Sequence, residues 1–371
     1  MKPVKVGILT FHKSKNYGAV LQAFALLHTL NKMGASPFLI NRLPDYKNWI
    51  YLLYFRLHPK FLIKKLTWIR FDRFVHTFLI PKTRTYTKRD LRYFEQNEKP
   101  DACIAGSDQV WRMEYSDIGY NYFFDFLDGT RTRKIAYAAS FGKAEWEEDQ
   151  AVTEKVKILL RDFHAVSVRE SSGTDICAKV FDTQATHVLD PTLLLSREDY
   201  ESILLAGSPA FKKYDLVSCF LNNTKAMEYC DHLAKQHDLS YIDLYQTTSL
   251  IKNLSPAGSG AKRWLHMSVQ EWLAQIRQAD YLVTNSFHAT VFAILFRKQF
   301  IVLDHPSGGT ARITGLLRLT GLQDRFVTGT AAILIPLLQK KIDWNSVHGK
   351  LASEKEKSLL FLKKALSTEE K

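Results

Sequence analysis

Short apolar runs alternate with helical patterns along this chain, and that alternation constrains the fold more than any other feature. Residues 4–9 (VKVGIL) form a β-rich run, and residues 18–33 then repeat apolar residues at helical spacing until Gly34. A second short run, PFLIN, begins at Pro37. This β-loop-α-β opening predicts the start of a doubly wound parallel sheet, and therefore an α/β fold.

The same alternation continues in two groups. Further predicted strands of the first group are residues 102–107, 134–140, 165–170 and 186–191, and those of the second are 215–221, 241–246, 281–284 and 300–304. A chain of 371 residues is longer than a single hydrophobic core usually supports and is long enough for two domains. We therefore predict a first Rossmann-like domain over 1–195, a second over 196–345 and a helical tail over 346–371.

Composition narrows the class of protein. Hydrophobic residues make up 46% and charged residues 24%, the balance of a globular protein. The chain has no run of about 18 apolar residues, and the first residues read as a strand and not as a secretory signal, so we expect a cytoplasmic protein. The four cysteines are scattered, which indicates buried thiols, and no His, Cys or carboxylate spacing predicts a metal site.

An insertion at 41–95 carries much of the net charge of +13. It holds 13 Lys or Arg against four Asp or Glu, with nine Trp, Tyr and Phe residues between 49 and 78. Basic and aromatic residues together suit the anionic surface of a membrane, with which peripheral association is predicted. Pro59 would divide the segment into two short helices that lie on the membrane surface and do not span it. The alternative is a pair of amphipathic helices that pack their aromatics inward and keep Lys and Arg in water. No nucleic-acid-binding motif accompanies the charge, so no nucleic-acid partner is expected.

Polar residues collect where the predicted strands end. His12, Asn16, Tyr17 and Gly18 follow the first strand, and similar clusters follow later ones: Ser107, Asp108, Gln109, Trp111, Arg169, Asn285, Ser286 and His288. Ligands of open α/β sheets bind beyond the carboxyl ends of the strands. Loop punctuation and helix capping explain any one cluster, but they do not explain why so many fall at strand ends.

These clusters resemble the polysaccharide pyruvyl transferase family. The matching strings keep the family's order: GILTFHKSKNYGAVLQAFAL, AGSDQVW, AYAASFG, SVRE, VLDPTLLL and TNSFHATVFAI. The resemblance implies two facing Rossmann-like domains of the glycosyltransferase-B-like architecture, with a cleft between them. It also implies transfer of a pyruvyl group from phosphoenolpyruvate, a co-substrate, to two hydroxyls of one sugar, forming a pyruvate ketal. The implied acceptor is a cell-surface polysaccharide or its lipid-linked oligosaccharide precursor, and no cofactor is expected.

The resemblance also suggests roles for single residues. Arg169 looks like a ligand of the donor, and His288 like a donor ligand or proton donor. Asp108 is the candidate general base, with a helix N-cap as the alternative role. The start of the helix at Asn16, Tyr17 and Gly18 offers N–H groups for an anion or the acceptor. We place His12, Ser107, Gln109 and Trp111 in the same acceptor or anion site.

One departure from the family pattern affects the donor site. Ser286 stands where better-studied members have the Arg of an Arg-x-His motif, so Arg312 is our candidate to replace that charge beside Asn285 and Ser286. Two other functions stay open on the same architecture. One is a glycosyltransferase that uses a nucleotide sugar, and the other is a membrane-docked scaffold of polysaccharide assembly with a degenerate site.

Overall fold

The structure is a computed structural model that describes residues 2–42, 60–87, 89–115, 119–205, 212–219, 221, 224–244, 262–263, 267–304, 310–328 and 334–367. Two compact units divide the chain. Unit 1 comprises Met1–Leu53, Val75–Leu195 and Ala352–Lys371, and unit 2 comprises Tyr54–Phe74 and Ser196–Leu351. Residues 54–74 therefore group with unit 2, although the sequence suggested an insertion of the first domain. The predicted tail, from Ala352 onward, groups with unit 1.

Unit 1 contains one six-stranded parallel sheet in the order β2-β1-β3-β4-β5-β6. Its strands are β1 (Lys5–Leu9), β2 (Ser36–Leu39), β3 (Ala102–Ala105), β4 (Arg133–Ala139), β5 (Phe163–Val168) and β6 (Thr186–His187). The strands follow one another outward on one side of β1 except for β2, which lies on the other side. The topological switch point therefore lies between the neighbouring strands β1 and β3, and open α/β sheets bind ligands at such a point.

Unit 2 repeats the arrangement with a second parallel sheet in the order β12-β11-β10-β7-β8-β9. Its strands are β7 (Leu216–Cys219), β8 (Tyr241–Leu244), β9 (Lys262–Arg263), β10 (Tyr281–Thr284), β11 (Gln299–Leu303) and β12 (Phe326–Val327). Here the switch point falls between β7 and β10. The predicted α/β class with two Rossmann-like sheets is confirmed.

Helices connect the strands in both units. They are α1 (Tyr17–Lys32), α2 (Lys60–Phe78), α3 (Phe94–Glu98), α4 (Gln150–Arg161), α5 (Ser171–Phe181), α6 (Arg197–Leu205), α7 (Thr224–Gln236), α8 (Val269–Gln278), α9 (Phe287–Leu295), α10 (Ala311–Thr320), α11 (Leu334–Gln339) and α12 (Trp344–Leu366). Short 3₁₀ turns lie at Asp90–Tyr93, Met113–Tyr115, Asn121–Phe123, Asp125–Leu127, Pro191–Leu193 and Gln323–Arg325. Within the described residues, none of the helices is long and apolar enough to span a membrane.

Burial explains why local sequence specified the two sheets so clearly. In unit 1 the strands β3 and β4 are buried almost throughout, because helices cover both faces of a parallel sheet. Helix α1 is apolar nearly all round and is buried along most of its length. Its C-terminal end is followed by Gly34 at φ +83°, the left-handed conformation that glycine adopts without strain.

Only part of the basic insertion lies within the described residues. Positions 43–59, including the predicted break at Pro59, are outside them, and so are the side chains of residues 60–68. Farther along α2, the side chain of Arg70 bonds Glu271 of α8 at 2.7 Å, while Phe71 and Phe74 are buried. The described end of α2 thus has the buried aromatics that the packed-helix alternative predicts. Association with a membrane stays a prediction.

Candidate active site

Polar side chains of unit 1 meet at the carboxyl edge of its sheet. Thr10 and His12 follow β1, Ser107 and Asp108 follow β3, Ser140 follows β4, and Arg169 and Glu170 follow β5. All seven are buried. Buried polar groups are costly unless they bond to one another. These side chains therefore need hydrogen-bond or ion-pair partners within the protein.

Arg169 is the centre of this edge. Its side chain is 1% exposed, and Nη1 donates to the Asp190 carboxylate at 2.8 Å. The carboxylates of Glu170 and Asp108 approach the same guanidinium at 3.6 and 3.9 Å. Burial opposes the charged form, but the three carboxylates outweigh it and raise the pKa of Arg169. Arg169 is therefore a buried arginine held by carboxylates and not a surface side chain.

Asp190 is one of the site residues that sequence reasoning missed. Its Oδ2 accepts hydrogen bonds from Ser107 Oγ at 2.8 Å and from Arg169, while Oδ1 accepts from the Thr192 amide at 3.0 Å and the Thr192 hydroxyl at 2.6 Å. A carboxylate that accepts four hydrogen bonds is well compensated for burial. The string VLDPTLLL contained the signal, but an Asp before Pro in an apolar run reads as an ordinary turn.

Asp108 is the most exposed carboxylate of the three, with 10% of its side chain accessible. It has a positive φ of 81°, and Oδ1 accepts a hydrogen bond from the Gln109 amide at 2.9 Å. A non-glycine residue in that region is uncommon and is often found at functional sites. No helix of the described residues begins at Asp108, so the N-cap alternative is wrong. The geometry leaves this carboxylate at the rim of the edge.

His12 lies beside the same edge as a neutral imidazole. Its Nδ1 donates to the Thr10 carbonyl oxygen at 3.0 Å, which leaves the lone pair on Nε2. Burial lowers the pKa of His12 to about 4, although the Thr10 carbonyl and Asn41 favour the charged form. Thr10 in turn donates to Ser107 O at 2.9 Å and accepts from Gln22 Nε2 at 2.8 Å. Thr10 and Gln22 were not predicted.

The start of α1 is not the open anion site that the sequence suggested. Asn16 is the N-cap of the helix, and its Oδ1 accepts hydrogen bonds from Gly18 N at 2.9 Å and Ala19 N at 3.4 Å. Val20 N bonds to the Asn16 carbonyl. The helix therefore satisfies these amides itself. Tyr17 and Gly18 are buried in the first turn.

Three further residues of the GSDQVW string contact other side chains of the protein. Trp111 is fully buried, stacks on Phe123 with ring centroids 5.3 Å apart, and donates its indole N–H to Tyr122 O. It is a core residue, so its predicted place in the acceptor site is corrected. Gln109 is partly exposed, and its Oε1 accepts from Arg112 at 3.0 Å. Ser107 is also fully buried, where it bonds Asp190.

Unit 2 has its own polar edge at the switch point between β7 and β10. The Thr284 hydroxyl donates to Cys219 O at 2.9 Å and accepts from Ser286 N at 3.0 Å. Ser286 is the N-cap of α9, so its side chain serves the helix. Asn285 is partly exposed, and His288 lies in the first turn of α9, largely buried.

Arg312, the candidate for the missing charge, lies in the first turn of α10. Within the described residues, the N-cap of α10, Thr310, makes no capping hydrogen bond with its side chain. Helices α9 and α10 follow the neighbouring strands β10 and β11, so His288 and Arg312 belong to the same edge of unit 2. In the part of the chain that the structure describes, no group of three or more His, Cys, Asp or Glu could hold a metal ion.

The comparison with protein families decides the identity of this chain. Residues 16–307 match the family model of the polysaccharide pyruvyl transferases, which is more than half of the chain. The chain belongs to the polysaccharide pyruvyl transferase family. Membership makes it a transferase of polysaccharide biosynthesis. No curated protein matched the sequence.

Solved structures show which fold this pyruvyl transferase family member has. Arabidopsis thaliana UGT89C1 complexed with UDP-L-rhamnose is similar with a TM-score of 0.56 at 10% identity, over 99% of this chain and 100% of that one. Staphylococcus aureus MnaA, in a co-structure with UDP, has a TM-score of 0.56 at 12% identity, over 100% and 99%. A putative UDP-N-acetylglucosamine 2-epimerase from Listeria monocytogenes has a TM-score of 0.57 at 8% identity, over 98% and 96%. The predicted glycosyltransferase-B-like fold class is confirmed, and identities this low show the fold alone.

Proposed function

We propose that this protein transfers a pyruvyl group from phosphoenolpyruvate to a sugar of a polysaccharide or of its lipid-linked precursor. The family match over residues 16–307 carries the proposal. Two polar edges, one at the switch point of each sheet, support it because this is where α/β folds bind ligands. We propose that the acceptor hydroxyls bind at the carboxylate-rich edge of unit 1.

The chemistry requires an acid, a base and an anion clamp. One sugar hydroxyl adds across the enol double bond, so that the methylene carbon gains a proton and the neighbouring carbon gains an oxygen. A second hydroxyl then replaces the phosphate on that carbon, which gives the ketal and inorganic phosphate. We assign the proton transfer to the methylene carbon to His288 and the removal of the hydroxyl proton to Asp108.

The anionic donor needs positive charge, which we assign to Arg312. It lies in the first turn of α10, where the helix dipole also favours an anion. Asn285 would add a neutral donor on the same edge. Ser286 has no role in this assignment, because its hydroxyl caps α9.

We propose a different task for Arg169 from the one the sequence suggested. Its guanidinium is buried and is shared among three carboxylates, which would repel a phosphate or carboxylate ligand. The same carboxylates suit neutral sugar hydroxyls, which donate hydrogen bonds to them. Arg169 would therefore hold Asp108 in place for the acceptor hydroxyl.

Direct detection of the product tests this function. The purified protein is incubated with ¹³C-labelled phosphoenolpyruvate and a panel of oligosaccharide acceptors, and the ketal methyl signal is followed by NMR together with inorganic phosphate. We expect acceptor-dependent release of phosphate in step with the methyl signal. The Asp108→Asn variant is the control, because it keeps the shape of the side chain and loses the base. Phosphate release without a ketal signal would contradict the proposal.

A nucleotide-sugar enzyme is the second candidate function, since both UGT89C1 and MnaA were solved with UDP ligands. A thermal-shift comparison separates the two. A ligand at 100 times its dissociation constant stabilises the folded protein by about 2.7 kcal/mol. We expect that increase with phosphoenolpyruvate and none with UDP-sugars. The reverse result would favour the second candidate.

A further inference from the structure

The C-terminal helix α12 contacts the chain one residue before Asp190. After β6 ends at His187, the Val188 amide still bonds to Val168 O, but Leu189 relies on side chains. Ser358 of α12 accepts a hydrogen bond from the Leu189 amide at 2.9 Å. Tyr137 of β4 donates its hydroxyl to the Leu189 carbonyl oxygen at 3.0 Å. Two side chains from distant parts of unit 1 therefore bond the backbone N–H and the backbone carbonyl of Leu189.

Both hydroxyls lie in the core, where polar atoms are costly. Ser358 is 1% exposed, and Tyr137 is fully buried with its ring near Phe361 of α12. Alanine and phenylalanine would fill these positions without burying a polar atom. Ser358 also donates to Glu354 O within its own helix at 2.8 Å, so its oxygen lone pairs remain for Leu189. Burial, with the nearby Asp190 charge, raises the pKa of Tyr137 well above its ordinary value, so its hydroxyl remains a donor.

Leu189 transmits this constraint to the active-site edge. The next residue is Asp190, whose carboxylate accepts from Thr192, Ser107 and Arg169 at distances between 2.6 and 3.0 Å. Hydrogen bonds of this length weaken steeply when their angle changes. A shift of the Asp190 backbone would therefore move the Arg169 guanidinium, and with it the ion pair to Asp108 at 3.9 Å.

We propose that Ser358 and Tyr137 are positioning residues of the active site. They fix Leu189 and Asp190, which fix Arg169 relative to Asp108. The C-terminal helix is then part of the machinery of unit 1 and not an accessory tail. The assignment of Asp108 as base rests on the proposed function, whereas the positioning itself does not.

Amide hydrogen exchange tests the positioning without any activity. The Thr192 amide bonds to the Asp190 carboxylate, so its exchange rate reports where that carboxylate is. In Ser358→Ala we expect the amide exchange rates of Leu189 and of Thr192 to rise at least about tenfold over the parent protein. A tenfold rise corresponds to about 1.4 kcal/mol in the free energy of local opening. Ser353→Ala, an exposed position on the same helix, should leave both rates unchanged. Faster exchange at Leu189 with an unchanged Thr192 would overturn the proposal.

A second variant protects the test against misfolding. Tyr137→Phe keeps the ring and removes only the hydroxyl that bonds Leu189 O, so Thr192 should again exchange faster. Unchanged exchange at Thr192 in a folded Tyr137→Phe protein would count against the role of Tyr137.

Kinetics then test whether the positioned group is catalytic. In Ser358→Ala we expect kcat to fall about three- to tenfold with little change in the KM for phosphoenolpyruvate, because the proposed donor ligand Arg312 takes no part in these bonds. Ser358→Thr restores the acceptor oxygen and should recover most of kcat. A rise in KM alone would reject the link to Asp108. If the parent protein transfers no pyruvyl group, the proposed function fails, and the exchange rates still decide the positioning.

Discussion

Replacing Asp190 by alanine should destabilise unit 1 more than most single substitutions do. The carboxylate is fully buried and bonds the buried guanidinium of Arg169 at 2.8 Å. Removing one partner of a buried ion pair typically costs about 3–5 kcal/mol, because the other charge is left without compensation. Glu170 and Asp108 remain within 4 Å of Arg169 and offset part of that loss. We therefore expect the lower end, about 3 kcal/mol.

Urea unfolding followed by circular dichroism measures this loss. For a domain of 150–250 residues, each kcal/mol lowers Tm by about 2–4 °C, so a thermal scan should show a fall of about 6–12 °C. Asp175→Ala is the matched control, because Asp175 is exposed on helix α5. Its free energy of unfolding should stay within about 0.5 kcal/mol of the parent.

The double variant Asp190→Ala/Arg169→Met tests whether the loss comes from the uncompensated charge of Arg169. Methionine fills much of the space of the arginine side chain and carries no charge, so the double variant should be more stable than Asp190→Ala alone. A loss below about 1 kcal/mol in Asp190→Ala would refute the premise that this pair holds the edge. Strictly additive effects of the two substitutions would refute it too.

Three further predictions concern catalysis, pH and membranes. His288→Ala should lower kcat by about 10²-fold, the usual contribution of a general acid, with exposed His237 replaced as the control; near-parental ketal formation would remove His288 from proton transfer. His12 has a folded pKa of about 4 against 6.5 when unfolded, so the unfolded chain binds its proton first, and stability should fall by about 3 kcal/mol between pH 6.5 and pH 4. His12→Asn should flatten that part of the urea-measured pH profile, and an unchanged slope would contradict the assignment. Residues 41–95 should make the protein co-sediment with anionic vesicles at low salt and not at high salt or with neutral vesicles, and binding insensitive to lipid charge would favour the packed-helix alternative.

Strand and helix positions could be predicted because a parallel sheet buries both of its faces. Runs such as residues 102–105 and 134–139 therefore read as continuous apolar segments, and the sequence pattern locates them closely. The grouping of residues 54–74 with unit 2, and of Ala352–Lys371 with unit 1, could not be read in the same way. Those assignments depend on contacts between residues far apart in the chain. Such contacts produce no periodic pattern of apolar residues in the local sequence.

Residues of the candidate site that directly follow a strand could be predicted from the sequence. Residues that belong to it only through bonds to distant parts of the chain could not. Arg169 and Asp108 were found because polar residues at strand ends stand out. Asp190 was missed, since only its bonds to Ser107, 83 residues away, and to Arg169 distinguish it from a turn residue. Trp111 was assigned to the site because a Trp beside polar loop residues resembles a ligand contact, whereas stacking on Phe123 makes it core.

The helices that follow β1, β10 and β11 differ in how their first turns are capped. Helices α1 and α9 both have N-cap side chains that accept hydrogen bonds: Asn16 from the Gly18 and Ala19 amides, and Ser286 from the Ala289 amide. Those amides are therefore unavailable to a ligand, and the family's Arg at position 286 would leave α9 without its cap. Helix α10 differs, since Thr310 makes no such side-chain bond within the described residues and Arg312 lies in the first turn. We propose that this helix start, with Arg312, offers an anionic donor the charge that Ser286 does not supply.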